Sequence, residues 1–309
     1  MRLVSSCFLL LALPCLSLAS EQQQYKRGVE QAGISRVKDF FNTNGYVLLQ
    51  NFFTHENKLL LKTLRNTTKS VFTNTFQDMY DKGFTQFPEH SRVIFEADDK
   101  GANEKKRIYA MQPGRENGFQ EIVMRNAGRY EISLQLNPDI FDNDSIDPLL
   151  EQLRAVIPSL FDKEMGNMTH VNLASSLIIS TAGAGEQKFH ADGEHLDMEE
   201  HLPVHCLNVF IPLVDVPDEK GPTELYPGSH YVTRQPSPMN IDTNELRKPY
   251  APELKLGDAL IFDYRILHRG KPNRSKKHRP MLVLAFSEPW FTDVKNWPQR
   301  SLKHTTTKR

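Results

Sequence analysis

Two segments carry the residue types and spacing for redox chemistry. One is Gln187-Lys-Phe-His190-Ala-Asp192; the other starts at His268, 78 residues after His190, and runs to Arg279. Two imidazoles and one carboxylate can hold a ferrous ion on one face and leave its other positions open to small ligands. An arginine 11 residues beyond the second histidine offers a planar fork that suits the carboxylate of an oxo-acid co-substrate.

A His-x-Asp triplet is weak by itself. With 11 His in 309 residues, roughly 0.6 such triplets arise by chance. Two occur, the second being His195-Leu-Asp197. The first follows the β-rich run Val171 to Ser180 and a Gly-rich turn, so an extended segment would place residues i and i+2 on one side. His195 sits within the charged run Glu194 to His201, which reads as an exposed loop. The third ligand, His268, ends the apolar run Ala259 to His268, read as a strand, and Arg279 opens the next one. Neighbouring barrel strands would then put ligand and clamp over one metal.

The elements around these segments change character along the chain. Val37 to Leu49 reads as helix, turn and strand, with Gly45 ending the helix. Thr54 is a helix N-cap ahead of Leu59, Leu60, Leu61 and Leu64, expected on the buried side. Phe72 to Gly118 is irregular, a candidate functional loop or a solvated insertion. Pro148 to Phe161 resumes a helical period. Short β-rich runs at Val171 to Ser180, Leu207 to Val214, Ala259 to Phe262 and Met281 to Phe286 imply a sandwich or barrel.

Basic and acidic residues balance at 38 each, which disfavours nucleic acid as a partner. Arg2 followed by the short apolar run Phe8 to Ala19, closed by small residues, reads as a cleaved secretory leader over 1–19. The run is too short to span a membrane, and no later segment forms a stable span. Cys7 and Cys15 fall in the leader, leaving Cys206 as a lone thiol without a disulfide partner. His205-Cys206 resembles a nucleophile pair, but Cys206 opens an apolar run and reads as a buried strand residue. Sequons at Asn66, Asn143, Asn167 and Asn273 weakly favour a glycoprotein. No endoplasmic-reticulum retention or peroxisomal signal ends the chain, so it is expected to be secreted or in an organelle lumen.

Six motifs together resemble the phytanoyl-CoA dioxygenase family of non-haem Fe(II)/2-oxoglutarate oxygenases. They are Asp39 to Leu48, Gln187-x-x-His190-x-Asp192, Leu207 to Asp215, Gly221-Pro-Thr-Glu-Leu-Tyr-Pro-Gly-Ser-His230, Gly257 to His268, and Arg279-Pro-Met-Leu. The resemblance implies a mainly β, α+β domain: a double-stranded β-helix, jelly-roll or cupin-like, with flanking N-terminal helices. The domain would cover 36–292, after a polar lead-in at 20–35, with a helical flank at 36–165, the β-helix core at 166–292 and a tail at 293–309.

His190, Asp192 and His268 would be the iron ligands, and Arg279 would pair with the distal carboxylate of 2-oxoglutarate. Gln187 and Asn208 are candidates for touching the co-substrate or lining the site, and Thr223 is a further one. Asn208 reads equally as a satisfied core amide. His230 reads as part of a tight loop, and His201 with His205 is interrupted by Pro203.

The implied chemistry is decarboxylation of 2-oxoglutarate to succinate, coupled through O2 to hydroxylation of a small-molecule or lipid-like substrate, with ascorbate as reductant. A carboxylate at position 192 takes the place that a halide needs in a halogenase, so hydroxylation or a related oxidation is expected. Two other readings stay open: a catalytically silent β-helix binding protein, and a lumenal protein hydroxylase. The sequence specifies neither the substrate nor the oligomeric state.

Overall fold

A computed structural model describes residues 31–81, 93–94, 107–108, 111, 113–136, 146–163, 171–233 and 246–303. The expected leader, most of the polar lead-in, much of the irregular stretch after Phe72, the sequons at Asn143 and Asn167, and residues 304–309 lie outside this set.

Helix α1 (Gln31–Asn44) gives way at Gly45 to strand β1 (Tyr46–Leu49), as the sequence implies. Gly45 has φ of 75°, and a Cβ there would sit 2.5 Å from Nδ1 of the His230 ring. Only glycine suits both the left-handed backbone and that close approach. Helix α2 (His55–Asp81) starts at a Thr54 cap, whose Oγ1 accepts the Asn57 N–H at 3.2 Å.

The helix runs well past the expected break at Phe72. Val71, Phe72, Thr75, Phe76 and Met79 recur every three or four residues and are buried, so packing of one face outweighs the weak propensity of β-branched and aromatic residues. Leu59, expected inside, is exposed, while Leu61 and Leu64 are buried.

The remaining elements are β2 (Val93–Ile94), β3 (Arg107–Ile108), β4 (Ile122–Asn126), β5 (Arg129–Ser133), α3 (Asp147–Leu153), α4 (Ile157–Leu160), β6 (Asn172–Ser180), β7 (Cys206–Pro212), β8 (Thr223–Leu225), β9 (Ala259–Asp263), β10 (His268–Gly270) and β11 (Arg279–Ser287). The single helical period expected from Pro148 is split between α3 and α4, and Pro158 lies in the first turn of α4.

Seven strands form one antiparallel sheet in the order β1-β9-β7-β11-β6-β5-β4. Alternation divides its faces. Val47, Leu177, Val209, Ile261 and Leu284 pack with the helices, around Phe41, Leu61 and Leu149. The opposite face looks across a cavity at a smaller sheet. There β8 pairs with β10, and β10 is flanked by the extended segment at His190 through a single bridge. Two antiparallel sheets face to face make the double-stranded β-helix expected, with helices buttressing the larger sheet.

Two expectations need correction. Strands β1, β4 and β5 of the large sheet precede residue 165, so the β core is not confined to 166–292. Nor is Ala259 to His268 one strand. The chain leaves the large sheet at Asp263, turns, and enters the small sheet at His268. A buried pair fixes that turn: Arg265 donates from Nε and Nη2 to the two Asp263 carboxylate oxygens at 2.9 and 2.7 Å. The ligand and the arginine clamp therefore lie on facing sheets, not on neighbouring strands of one sheet.

Candidate metal and co-substrate site

The extended segment around His190 exchanges both backbone hydrogen bonds with His268, at 3.0 and 2.9 Å. Two residues on, the Asp192 N–H donates to the Tyr264 carbonyl at 3.0 Å. This pairing brings His190, Asp192 and His268 together, with one ligand atom of each within 4.8 Å of the others. His190 Nε2 lies 3.7 Å from Asp192 Oδ1, and His268 Nε2 lies 3.5 Å from Oδ2.

Each imidazole is anchored through its other nitrogen. Nδ1 of His190 meets the Lys188 carbonyl at 2.9 Å, and Nδ1 of His268 meets the Ile266 carbonyl at 3.1 Å. A carbonyl can only accept, so Nδ1 carries the proton and the Nε2 lone pair is free to ligate. Burial pushes His268 down to about 4, with Asp192 opposing and His190 adding to the shift, so its ring is neutral near pH 7. Asn208 on β7 donates to Asp192 Oδ2 at 2.8 Å and orients the carboxylate.

The cavity between the sheets has a volume of about 590 Å³ and contains all seven residues singled out in the sequence: Gln187, His190, Asp192, Asn208, Thr223, His268 and Arg279. Their parts differ. Gln187 accepts the Gly270 N–H on its side-chain oxygen at 3.0 Å and so pins the ligand segment to β10. Asn208 is a buried amide that is satisfied by Asp192, one of the candidate ligands, so it both lines the cavity and is hydrogen-bonded. Thr223 is buried on β8, opposite Gly270.

Arg279 opens β11, fully inside, and donates to the Gly221 carbonyl and to Ser180 Oγ, the latter at 2.9 Å. Its Nε has no partner among the described residues. Sequence reasoning missed Arg129. In the sheet register Arg129 and Arg279 flank Ser180 in one row. Arg129 is equally buried, bonded to the Gly185 and Lys271 carbonyls, and also has an unpartnered Nε.

No carboxylate pairs with either guanidinium among the described residues. Burial pushes Arg129 down to about 10; it pushes Arg279 well below its ordinary value, and Arg129 adds to that shift. A buried cation without a counter-ion is costly, so this end of the cavity fits an anion. Gly270 matters here, because a Cβ on it would collide with Arg129 Nη1.

The other histidines stay outside the triad. His195, expected on an exposed loop, is buried, and its Nε2 bonds Thr233 Oγ1 at 3.0 Å. Asp197 turns away to accept the backbone N–H groups of Glu199 and Glu200. His230 bonds the Asn42 carbonyl, and residues 201–205 form no helix. Cys206 is buried and free, and burial raises its thiol further, which removes the nucleophile reading. Asn273 is also committed: its Nδ2 donates to the carbonyls of Ser180, Thr181 and Lys277, so this sequon is closed to modification in the folded chain.

A segment without regular secondary structure, 288–299, closes the far side of the cavity. Its Asn296 donates from Nδ2 to the Asp192 carbonyl at 3.0 Å and to the Tyr264 hydroxyl at 2.6 Å. Arg125 holds this strap through the Asn296 carbonyl and the face of Trp297, 5.1 Å from the ring centre. These hydrogen bonds join residues between 32 and 171 positions apart and have no local motif.

Known proteins share both sequence and architecture with this chain. The dioxygenase cdmD of Talaromyces verruculosus is 26% identical over 184 residues, 57% of this chain. The match spans 58% of that relative, less than two thirds of its length. The fold recurs in the non-heme alpha-ketoglutarate-dependent epimerase SnoN from nogalamycin biosynthesis, with TM-score 0.52, 14% identity and 84% of each chain covered. It recurs in EvdO2 of Micromonospora carbonacea var. aurantiaca, solved with 2-oxoglutarate, with TM-score 0.51, 16% identity and coverage of 85% of this chain and 96% of that one. The family Phytanoyl-CoA dioxygenase (PhyH) matches residues 41–281, which contain every residue of the candidate metal site and Arg279. The chain belongs to the phytanoyl-CoA dioxygenase family.

Proposed function

We propose that the protein is an Fe(II)- and 2-oxoglutarate-dependent oxygenase of the secretory pathway that hydroxylates a small molecule. The observation that carries this reading is the pairing, within one cavity, of a His-Asp-His set free to ligate and a buried Arg279 that has no carboxylate partner among the described residues. The donor set fits iron: two imidazoles with Nδ1 anchored and one oriented carboxylate, the set that leaves open positions on ferrous ion.

His190, Asp192 and His268 would hold the metal. When bound, iron supplies oxygen activation coupled to decarboxylation of 2-oxoglutarate to succinate. The chain's own contribution is positioning and charge. Arg279, braced by Ser180 and the Gly221 carbonyl, would take the distal carboxylate through its free Nε and remaining N–H groups. Arg129 deepens the positive potential at the same end. Thr223 and Gln187 flank the path between arginine and triad, and Asn208 holds the Asp192 carboxylate in one orientation.

The 1–19 segment would direct the chain to the secretory pathway, where ascorbate could keep the iron reduced. Purified protein given Fe(II), ascorbate and 2-oxoglutarate should form succinate, slowly without a second substrate. No metal binding and no succinate would defeat this reading and leave the silent binding protein in its place.

A further inference from the structure

We propose that the second substrate is a compact, uncharged molecule dense in hydroxyl, carbonyl or ether oxygens, and not an acyl chain or its coenzyme A thioester. This rests on the oxygenase reading above and narrows it. Beyond the triad the cavity floor is made by cross-strand rows of β5, β6, β11 and β7. In register these are Ser133–Ser176–Val283–Phe210, then Ala174–Ala285–Asn208, then Asn172–Ser287–Cys206. Small side chains dominate, so this half of the cavity is wide rather than a slot.

Its chemistry is polar and its charges are already used. Apart from the triad and the two inner arginines, the charged residues lining the cavity among those described are Arg125, Glu131 and Asp293. Arg125 donates to Glu131 Oε2 at 2.6 Å, and Ser176 donates to Oε1 at 2.6 Å. Asp293 accepts from the Tyr264 hydroxyl, the Asn296 side chain and two backbone N–H groups. Among the described residues, no spare cation remains for a phosphate or carboxylate and no spare carboxylate remains for an amine.

Ser176, Ser287, Asn172 and Gln135 line this half as well. Ser176 donates to Glu131, and the Asn172 and Gln135 amides donate to the Pro289 and Leu173 carbonyls, which leaves their oxygens and a second amide N–H on each for a ligand. An alkyl chain would strip water from these groups and give nothing back, whereas an oxygen-rich ligand replaces each lost bond. Opposite the polar floor, Trp297 and Phe291 of the strap add aromatic surface to the lining.

The test uses protein loaded with Mn(II) and 2-oxoglutarate, so that binding is read without turnover. Three probes are titrated by calorimetry: catechin for oxygenated rings, decan-1-ol for alkyl chains and coenzyme A for anionic carriers. Catechin should bind at least about tenfold more tightly than either alternative, the scale of one or two net hydrogen bonds. The Ser287→Val and Asn172→Leu variants should each shrink that ratio several-fold in favour of decan-1-ol. Tighter binding of decan-1-ol or coenzyme A, or binding of none of the three, overturns the proposal. Failure to bind Mn(II) and 2-oxoglutarate at the loading step contradicts the oxygenase reading instead, so the two failures are distinct.

Discussion

The two ends of the cavity follow opposite designs. Strand β11 runs along it from Arg279 to Ser287, about 26 Å at 3.3 Å per residue. At the Arg279 end everything is large, charged and already oriented: two guanidiniums braced by backbone carbonyls, in a row with Ser180, lacking only an anion. At the Ser287 end the side chains are small and polar, the charges cancel within the wall, and the cover is an irregular strap. A co-substrate common to every turnover calls for the first design. A substrate that differs between relatives calls for the second, because short side chains and a loop change without disturbing the sheet.

Substitutions should separate the two ends. The largest effect is expected at their junction. His268→Ala should abolish metal retention, measured by elemental analysis after desalting, and lower succinate formation by more than about a hundredfold. Full activity in that variant would remove the triad from the mechanism. At the inner end, Arg279→Met should raise the 2-oxoglutarate KM by about ten- to a hundredfold, the loss of one charge-assisted pair.

The same change deletes a buried charge that has no carboxylate partner among the described residues, so the melting temperature of the metal-free protein should not fall. A drop in stability without a change in KM would make Arg279 a structural residue. Asn208→Leu should weaken Mn(II) binding by about tenfold, as expected for a group orienting a ligand. The smallest effect belongs to the outer end. Arg125→Met frees the strap at Asn296 and Trp297 and should speed proteolysis within 288–299 several-fold.

The inner end was partly legible in the sequence and the outer end hardly at all. His190 and Asp192 sit two apart in an extended segment, His268 and Arg279 begin strands, and such short-range patterns survive in one dimension. Arg129 carries no such mark. It reads as an ordinary residue in Gly-Arg-Tyr-Glu until the register of β5 on β6 sets it level with Arg279. Asn208 was ambiguous because its partner, Asp192, lies 16 positions away across the cavity.

The sequence assigns 293–299 of the strap to the tail because its contacts, Arg125 to Asn296 and Asn296 to Asp192, are long-range and involve no periodic pattern. Its charged neighbours point His195 outward in the sequence, yet it is buried and bonded to Thr233, whose hydroxyl donates in turn to the Arg265 carbonyl. Helix α2 ran past its expected end because an apolar face repeating every three or four residues outweighs Asn and Thr content.

The central claim is that the inner end is a built receptor for 2-oxoglutarate that works with the metal. Calorimetric titration of 2-oxoglutarate into Mn(II)-loaded protein tests it most directly. One site per chain is expected, lost without Mn(II), lost in His268→Ala and weakened at least about tenfold in Arg279→Met. Binding that persists undiminished without metal, or in Arg279→Met, would contradict it.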